Sequence, residues 1–151
     1  MFEDDSAQSD RHERARRALQ AGIEAAQPHR VLGDAVEYRD DTLHISGTEY
    51  PLDEFDRLLV LGGGNGAGRV AAALVEILGD RIDEGIVVTD NPAETSRVEM
   101  VEGTHPLPSA ANVEGTSRLL ELAEGATEND LVLTVITGGG SALLCAPTEG
   151  L

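Results

Sequence analysis

A doubly wound, mostly parallel α/β sheet is the fold class this sequence predicts, and three observations predict it. Short apolar runs, RLLVL at 57–61, GIVVT at 85–89 and DLVLTVIT at 130–137, alternate with Ala- and Leu-rich helical stretches. Two of these runs lead straight into glycine clusters, one around Gly62, Gly63 and Gly64, the other at Gly138, Gly139 and Gly140. Aromatic residues are only 3% of a chain that is 40% hydrophobic. The core must therefore come from Val, Leu, Ile and Ala, a mix that suits buried parallel strands covered by helices.

The elements follow in order. Residues 1–10 are acidic and polar with little to bury, and read as a flexible arm. From Arg11 to Gln27, Ala15, Ala18, Leu19, Gly22, Ile23 and Ala26 recur at helical spacing, with Asp10 as the expected N-cap and Pro28 as the stop. Val36, Tyr38, Leu43 and Ile45 alternate with polar residues around Arg39-Asp40-Asp41, which predicts a β-hairpin. Strand–helix units begin at Arg57: a buried strand to Leu61, the glycine run, an Ala-rich helix over Ala67–Leu78, and a second strand over Gly85–Thr89. Arg97–Val101 is a third, more exposed strand. His105-Pro106-Leu107-Pro108 then leads to Ser109, which caps a helix running to about Glu124, and Asp130–Thr137 is the last strand. Residues 11–151 make one domain. The strand at 131–137, apolar on both faces, expects more cover than the residues after it provide, so the α/β domain is expected to be incomplete at its C-terminal side.

Composition removes several function classes. The net charge is −17, and all 11 basic residues are Arg. Nucleic acids and anionic membranes are bound through basic patches, so neither is an expected partner. Self-repulsion on this scale destabilises a compact chain at low ionic strength and is screened by salt, which predicts a salt-adapted, halophilic source. No apolar run reaches the ~18 residues of a membrane span, and no signal segment opens the chain, so a cytoplasmic protein is expected. One cysteine, Cys145, allows no internal disulfide and no Cys-based zinc site, and no metal ligand set is predicted.

Both glycine clusters lie where ligands bind in open α/β sheets, beyond the C-terminal ends of the strands. Helix N-terminal amides there form an anion site, to which Arg69, at the start of the Ala-rich helix, adds charge. No G-x-x-x-x-G-K-[ST] loop occurs, which excludes a standard P-loop. Ser141 lacks the second glycine of a hydrolase G-x-S-x-G elbow. His105 is a candidate acid or base. Gly62-x-Gly64-x-x-Ala67 also fits the relaxed dinucleotide fingerprint, which keeps a Rossmann-like NAD(P)-dependent oxidoreductase open. Against that reading, the acid that ends the next strand, Asp90, lies further along than the usual ~20 residues.

The stretches LLVLGGGNGAGRVAAAL, GIVVTD, GTHPLPSAANVEGT and DLVLTVITGGGSALLCAPTEGL together resemble the N-terminal part of glycerate 2-kinases of the MOFRL-associated family. The likeness runs from about residue 11 onward and covers about the first third of the family's length. It implies ATP-dependent phosphorylation of glycerate with Mg²⁺, at a site between this domain and a second one. On this likeness Ser141 and the amides of 138–140 meet substrate or phosphate, and His105 faces the same cleft. Asn65 stands where the family usually has a Lys thought to act on the substrate. Asn hydrogen-bonds but brings no positive charge, so Asn65 and His105 are the candidate catalytic residues. Gly62, Gly63, Gly64, Arg69, Gly138, Gly139, Gly140 and Ser141 are the candidate binding residues. An N-terminal fragment inactive alone, or a split-gene half needing a partner chain, is the corresponding expectation.

Overall fold

The structure, a computed structural model, describes residues 5–148. Its centre is a parallel sheet of β4 (Arg57–Gly63), β5 (Glu84–Thr89), β6 (Glu99–Glu102) and β7 (Asp130–Ile136). The spatial order is β6-β5-β4-β7, and every pairing is parallel. The chain steps outward from β4 to β6, then crosses back through a helix to lay β7 on the far side of β4. Strand order therefore reverses between β4 and β7, which makes that pair the switch point of the sheet.

Alternation along the strands sorts the two faces. Leu58, Val60, Val87, Val98 and Val135 join one core with Ala67, Ala71, Leu74 and Leu78 of α3 (Ala67–Leu78). Leu59, Leu61, Ile86 and Val88 are also buried but lie outside that cluster. On their side packs α4 (Ala110–Glu124), whose Gly115 lies against Val88 and Val101. Helices on both faces explain why these strands are apolar throughout, and a buried Leu, Ile or Val side chain contributes roughly 1.5–3 kcal/mol.

The N-terminal region departs from expectation in three places. Helix α1 spans Asp5–Ala25, so residues 5–10 are helical and not an arm; residues 1–4 lie outside the described residues. Asp10 is inside the helix, paired with Arg14 one turn on, and is not its cap. The apolar stripe of α1 is not buried either: Leu19 is 67% and Ile23 54% exposed. Pro28 ends α1 and also opens α2 (Pro28–Ala35), because proline at the first helical position gives up an amide that has no intrahelical partner there. The expected hairpin is a three-stranded antiparallel sheet of β1 (Val36–Arg39), β2 (Thr42–Ile45) and β3 (Thr48–Pro51). Asp40 and Asp41 join the first pair of strands and Ser46 and Gly47 the second, all four with positive φ, as tight hairpin turns require. Leu43, fully buried, and Val36 fasten this sheet to the α3 core.

The foot of the switch point is clamped. Arg57 donates from Nε and Nη2 to the Asp130 carboxylate at 3.0 and 2.7 Å, and Nη2 also reaches the Gly125 carbonyl. Among the described residues β7 pairs only with β4. Val135 is buried, Leu131 to Leu133 are half-buried, and Ile136 is 65% exposed. No helix among the described residues is long and apolar enough to cross a membrane.

Candidate functional site

At the C-terminal ends of β4 and β7 the two glycine loops meet and hold each other. The Asn65 amide donates to the Gly138 carbonyl at 2.8 Å, and the Thr137 amide to the Gly63 carbonyl at 3.2 Å. The Gly66 amide donates to Thr137 Oγ1 at 3.1 Å. Two glycines are required by this contact. Gly64 has φ +135°, and a Cβ there would come within 2.1 Å of Thr137 Oγ1. Gly139 has φ +83°, and its Cβ would fall 2.0 Å from Asn65 Oδ1. At Gly64 and Gly139, the space that a side chain would occupy is filled by the opposite loop.

Around this junction the candidate residues are distributed unevenly. Asn65 donates from Nδ2 to Asp90 Oδ2 at 2.7 Å, so the carboxylate at the end of β5 leans toward the first loop. Helix α3 begins directly behind Gly66; its Ala67 amide donates to the Gly64 carbonyl at 3.1 Å and its Val70 amide to the Gly66 carbonyl at 3.2 Å, which leaves the Gly68 and Arg69 amides of this turn for an anion. Arg69 is exposed and lines a shallow cavity of about 220 Å³ with Pro28, His29 and Ala93. On the second loop, Gly140 already donates its amide to the Thr137 carbonyl at 3.2 Å and so offers none to a ligand. Ser141 is exposed on α5 (Gly140–Leu143), a single helical turn. His105 is exposed on the loop after β6 and joined to Pro106 by a cis peptide bond.

Sequence reasoning missed three residues that organise this end of the sheet. Thr137, read as the last residue of a strand, presents its hydroxyl to the first loop. Asn112 is fully buried beneath the His105 loop, and Thr116, 5% exposed, accepts from the Cys145 amide at 2.9 Å. A polar residue three positions after the Ser109 cap was the only local sign of Asn112.

Fold and loops together define a doubly wound α/β domain whose two glycine loops meet at the strand-order switch between β4 and β7. The particular family is shown by comparison with known proteins: residues 14–151 match the family described as "Domain of unknown function (DUF4147)", and the chain belongs to it. Its relatives include a glycerate 2-kinase of Pyrococcus horikoshii, 33% identical over 89% of this chain and 30% of that protein. A putative hydroxypyruvate reductase of Agrobacterium vitis is 34% identical over 83% of this chain and 29% of that protein. A crystal structure of a P. horikoshii OT3 protein superposes with TM-score 0.80 at 31% identity, over 100% of this chain and 33% of that one. The crystal structure of a Thermotoga maritima glycerate kinase gives TM-score 0.70 at 32% identity, over 91% of this chain and 30% of that one. The chain thus spans about a third of the length of the relatives it matches.

Proposed function

We propose that this chain forms the parallel-sheet side of the catalytic cleft of an ATP-dependent glycerate kinase. The observation that carries the reading is the joining of the two glycine loops at the switch point, in a chain whose relatives include glycerate kinases. In the transfer, a glycerate hydroxyl oxygen forms a bond to the γ-phosphorus, the bond from that phosphorus to the β,γ-bridging oxygen breaks, and ADP leaves. The hydroxyl proton passes to a base, and His105 is this chain's candidate. Asn65 orients an oxygen of substrate or phosphate by hydrogen bonding. The Gly68 and Arg69 amides of α3, the outer amides of the second loop and the Ser141 hydroxyl line the phosphate path.

No group of three or more His, Cys, Asp or Glu side chains among the described residues is placed to hold a metal ion. Mg²⁺ fits this crevice only in the form that phosphoryl-transfer sites often use, held mostly by nucleotide phosphates, water and a single carboxylate. Asp90, at the mouth of the first loop, is the acid placed for that role, and the ion would neutralise phosphate charge there.

The electrostatics support a shared site. Asn65 brings no charge, and Arg69 turns toward the cavity beside α2, so the described loops offer little to balance a polyanion on a chain of net charge −17. The remaining positive groups come, on this reading, from the part of the fold that the longer relatives contain, or from a second chain. The setting that this composition supports is a salt-rich cytoplasm.

Kinase assays test the proposal. The isolated chain is expected to show no ATP-dependent phosphorylation of glycerate, with activity appearing when the remaining two-thirds of a family member is supplied as a second chain. Turnover by the isolated chain would contradict the shared site. A second reading, an NAD(P)-dependent reductase, is favoured by the Agrobacterium vitis relatives described as putative hydroxypyruvate reductases and by the fingerprint at Gly62–Ala67. NADH oxidation by hydroxypyruvate, without any kinase activity in the two-chain mixture, would establish it instead.

A further inference from the structure

The loop after β6 and the second glycine loop come from distant parts of the chain, yet one buried side chain bonds to both. Asn112, at the third position of α4, is 0% exposed. Its Oδ1 accepts from the Thr104 amide at 2.9 Å, the Ser109 amide at 3.0 Å and the Ser109 hydroxyl at 2.9 Å. Its Nδ2 donates to the Thr104 carbonyl and to the Ala142 carbonyl, each at 3.0 Å. Both amide hydrogens are used, and Gly103 packs close against the amide, where a Cβ would approach Asn112 at 3.1 Å. Thr104 immediately precedes His105, and Ala142 immediately follows Ser141.

A helix cap alone does not need this arrangement. Capping uses only the acceptor, Oδ1, turned back to the Ser109 amide. The donor side reaches across to α5, and nothing about closing α4 calls for it. A second bond runs parallel: Thr116 Oγ1, one turn further along α4, donates to the Asn112 carbonyl at 2.7 Å and accepts from Cys145. Helix α4 is in turn seated firmly on the sheet, because Gly115 lets it approach Val101 and Val88.

We propose that Asn112 is a positioning residue that fixes the His105 loop and the Ser141 loop in one register, through Thr104 on one side and Ala142 on the other. The inference rests on the reading that both loops line the phosphate-transfer cleft. A base on one loop and phosphate ligands on another must keep their spacing to be useful. An asparagine is the side chain for this task, because it offers an acceptor to one set of amides and two donors to two carbonyls within one rigid plane.

The isosteric variant Asn112→Asp separates the two roles. It keeps the acceptor that caps α4 and replaces the donor with an oxygen facing the Ala142 and Thr104 carbonyls. Above the titration of the introduced carboxyl, amide hydrogen exchange at Ala142, Leu143 and Leu144 is expected to quicken about tenfold or more, the scale of one lost net hydrogen bond, while β4 and β5 amides stay within about twofold. On acidification the protonated carboxyl regains one donor, and protection of the second loop should return. In the unmodified chain, the Asn112 side-chain NH₂ should show through-bond coupling to the Ala142 carbonyl carbon, which needs no variant to fold. Unchanged exchange at 142–144 in the variant, loosening spread equally over the sheet, or absence of the coupling would each overturn the proposal. These readouts use no ligand, so failure to bind ATP or glycerate would count against the kinase reading and leave the result on Asn112 standing.

Discussion

Replacing Gly139 by alanine tests the joining of the two loops more sharply than any core substitution. Two costs add at this position. The backbone sits at φ +83°, where an L-residue costs roughly 1–2 kcal/mol. The new methyl would also lie 2.0 Å from Asn65 Oδ1, so Asn65 must swing away and surrender its 2.7 Å bond to Asp90, about 1 kcal/mol more for a solvent-facing pair. Gly139→Ala should therefore destabilise the chain by about 2–3 kcal/mol, which lowers the melting temperature by roughly 4–12 °C for a domain of this size. Gly47→Ala is the matched control. Its φ is +89° but nothing lies within 4 Å of the added Cβ, so it carries the backbone cost alone. Gly138→Ala, with ordinary φ and open space, should be nearly neutral. Calorimetric melting of the three variants at fixed salt gives the comparison. If Gly139→Ala and Gly47→Ala lose the same stability, the Asn65–Gly139 contact is not formed and the joined-loop geometry is wrong.

Other consequences follow from the charge, the clamp and the core. The chain's melting temperature should rise steadily between about 0.1 and 2 M KCl as its self-repulsion is screened; equal stability at both extremes would remove the argument for salt adaptation. Arg57 donation, helped by the Thr127 amide, holds the Asp130 carboxyl well below the usual carboxylate range. A depressed pKa contributes stability in full above the unfolded value of about 4 and loses it as pH falls through the folded value. Acid titration of unfolding should accordingly show a steeper loss below about pH 4 in the parent chain than in Asp130→Asn, and parallel curves would count against the clamp. Leu59→Ala, at a fully buried position facing α4, should cost about 2–5 kcal/mol in chemical denaturation, and a loss under 1 kcal/mol would mean that this face is not packed.

The parts of the fold legible in the sequence are those where local pattern and burial agree. β4, α3, β5 and the Ser109-capped α4 stand within a few residues of their expected bounds, because strands covered on both faces leave continuous apolar runs. Pro28 misled because the same residue that stops one helix opens the next. β3 was hidden because Thr48–Pro51 is half-exposed and carries no apolar alternation. The stripe on α1 has helical spacing but no partner among the described residues, and periodicity alone cannot tell a covered face from an open one. At the site, the glycines announced where the loops lie but not what they touch. That Gly139 faces Asn65, and that Asn112 reaches Ala142, depends on strand order, which places distant segments side by side without any short-range sign.

Mapping ligands onto the ¹⁵N-labelled chain by NMR at molar KCl tests the central claim most directly, with Mg·ATP, D-glycerate and NADH added separately at millimolar concentration. The kinase reading predicts amide shifts at 62–69, 137–142, Asp90 and His105 on addition of Mg·ATP or glycerate, and no comparable response to NADH. Shifts with NADH alone, or Mg·ATP shifts centred away from the ends of β4 and β7, would contradict it.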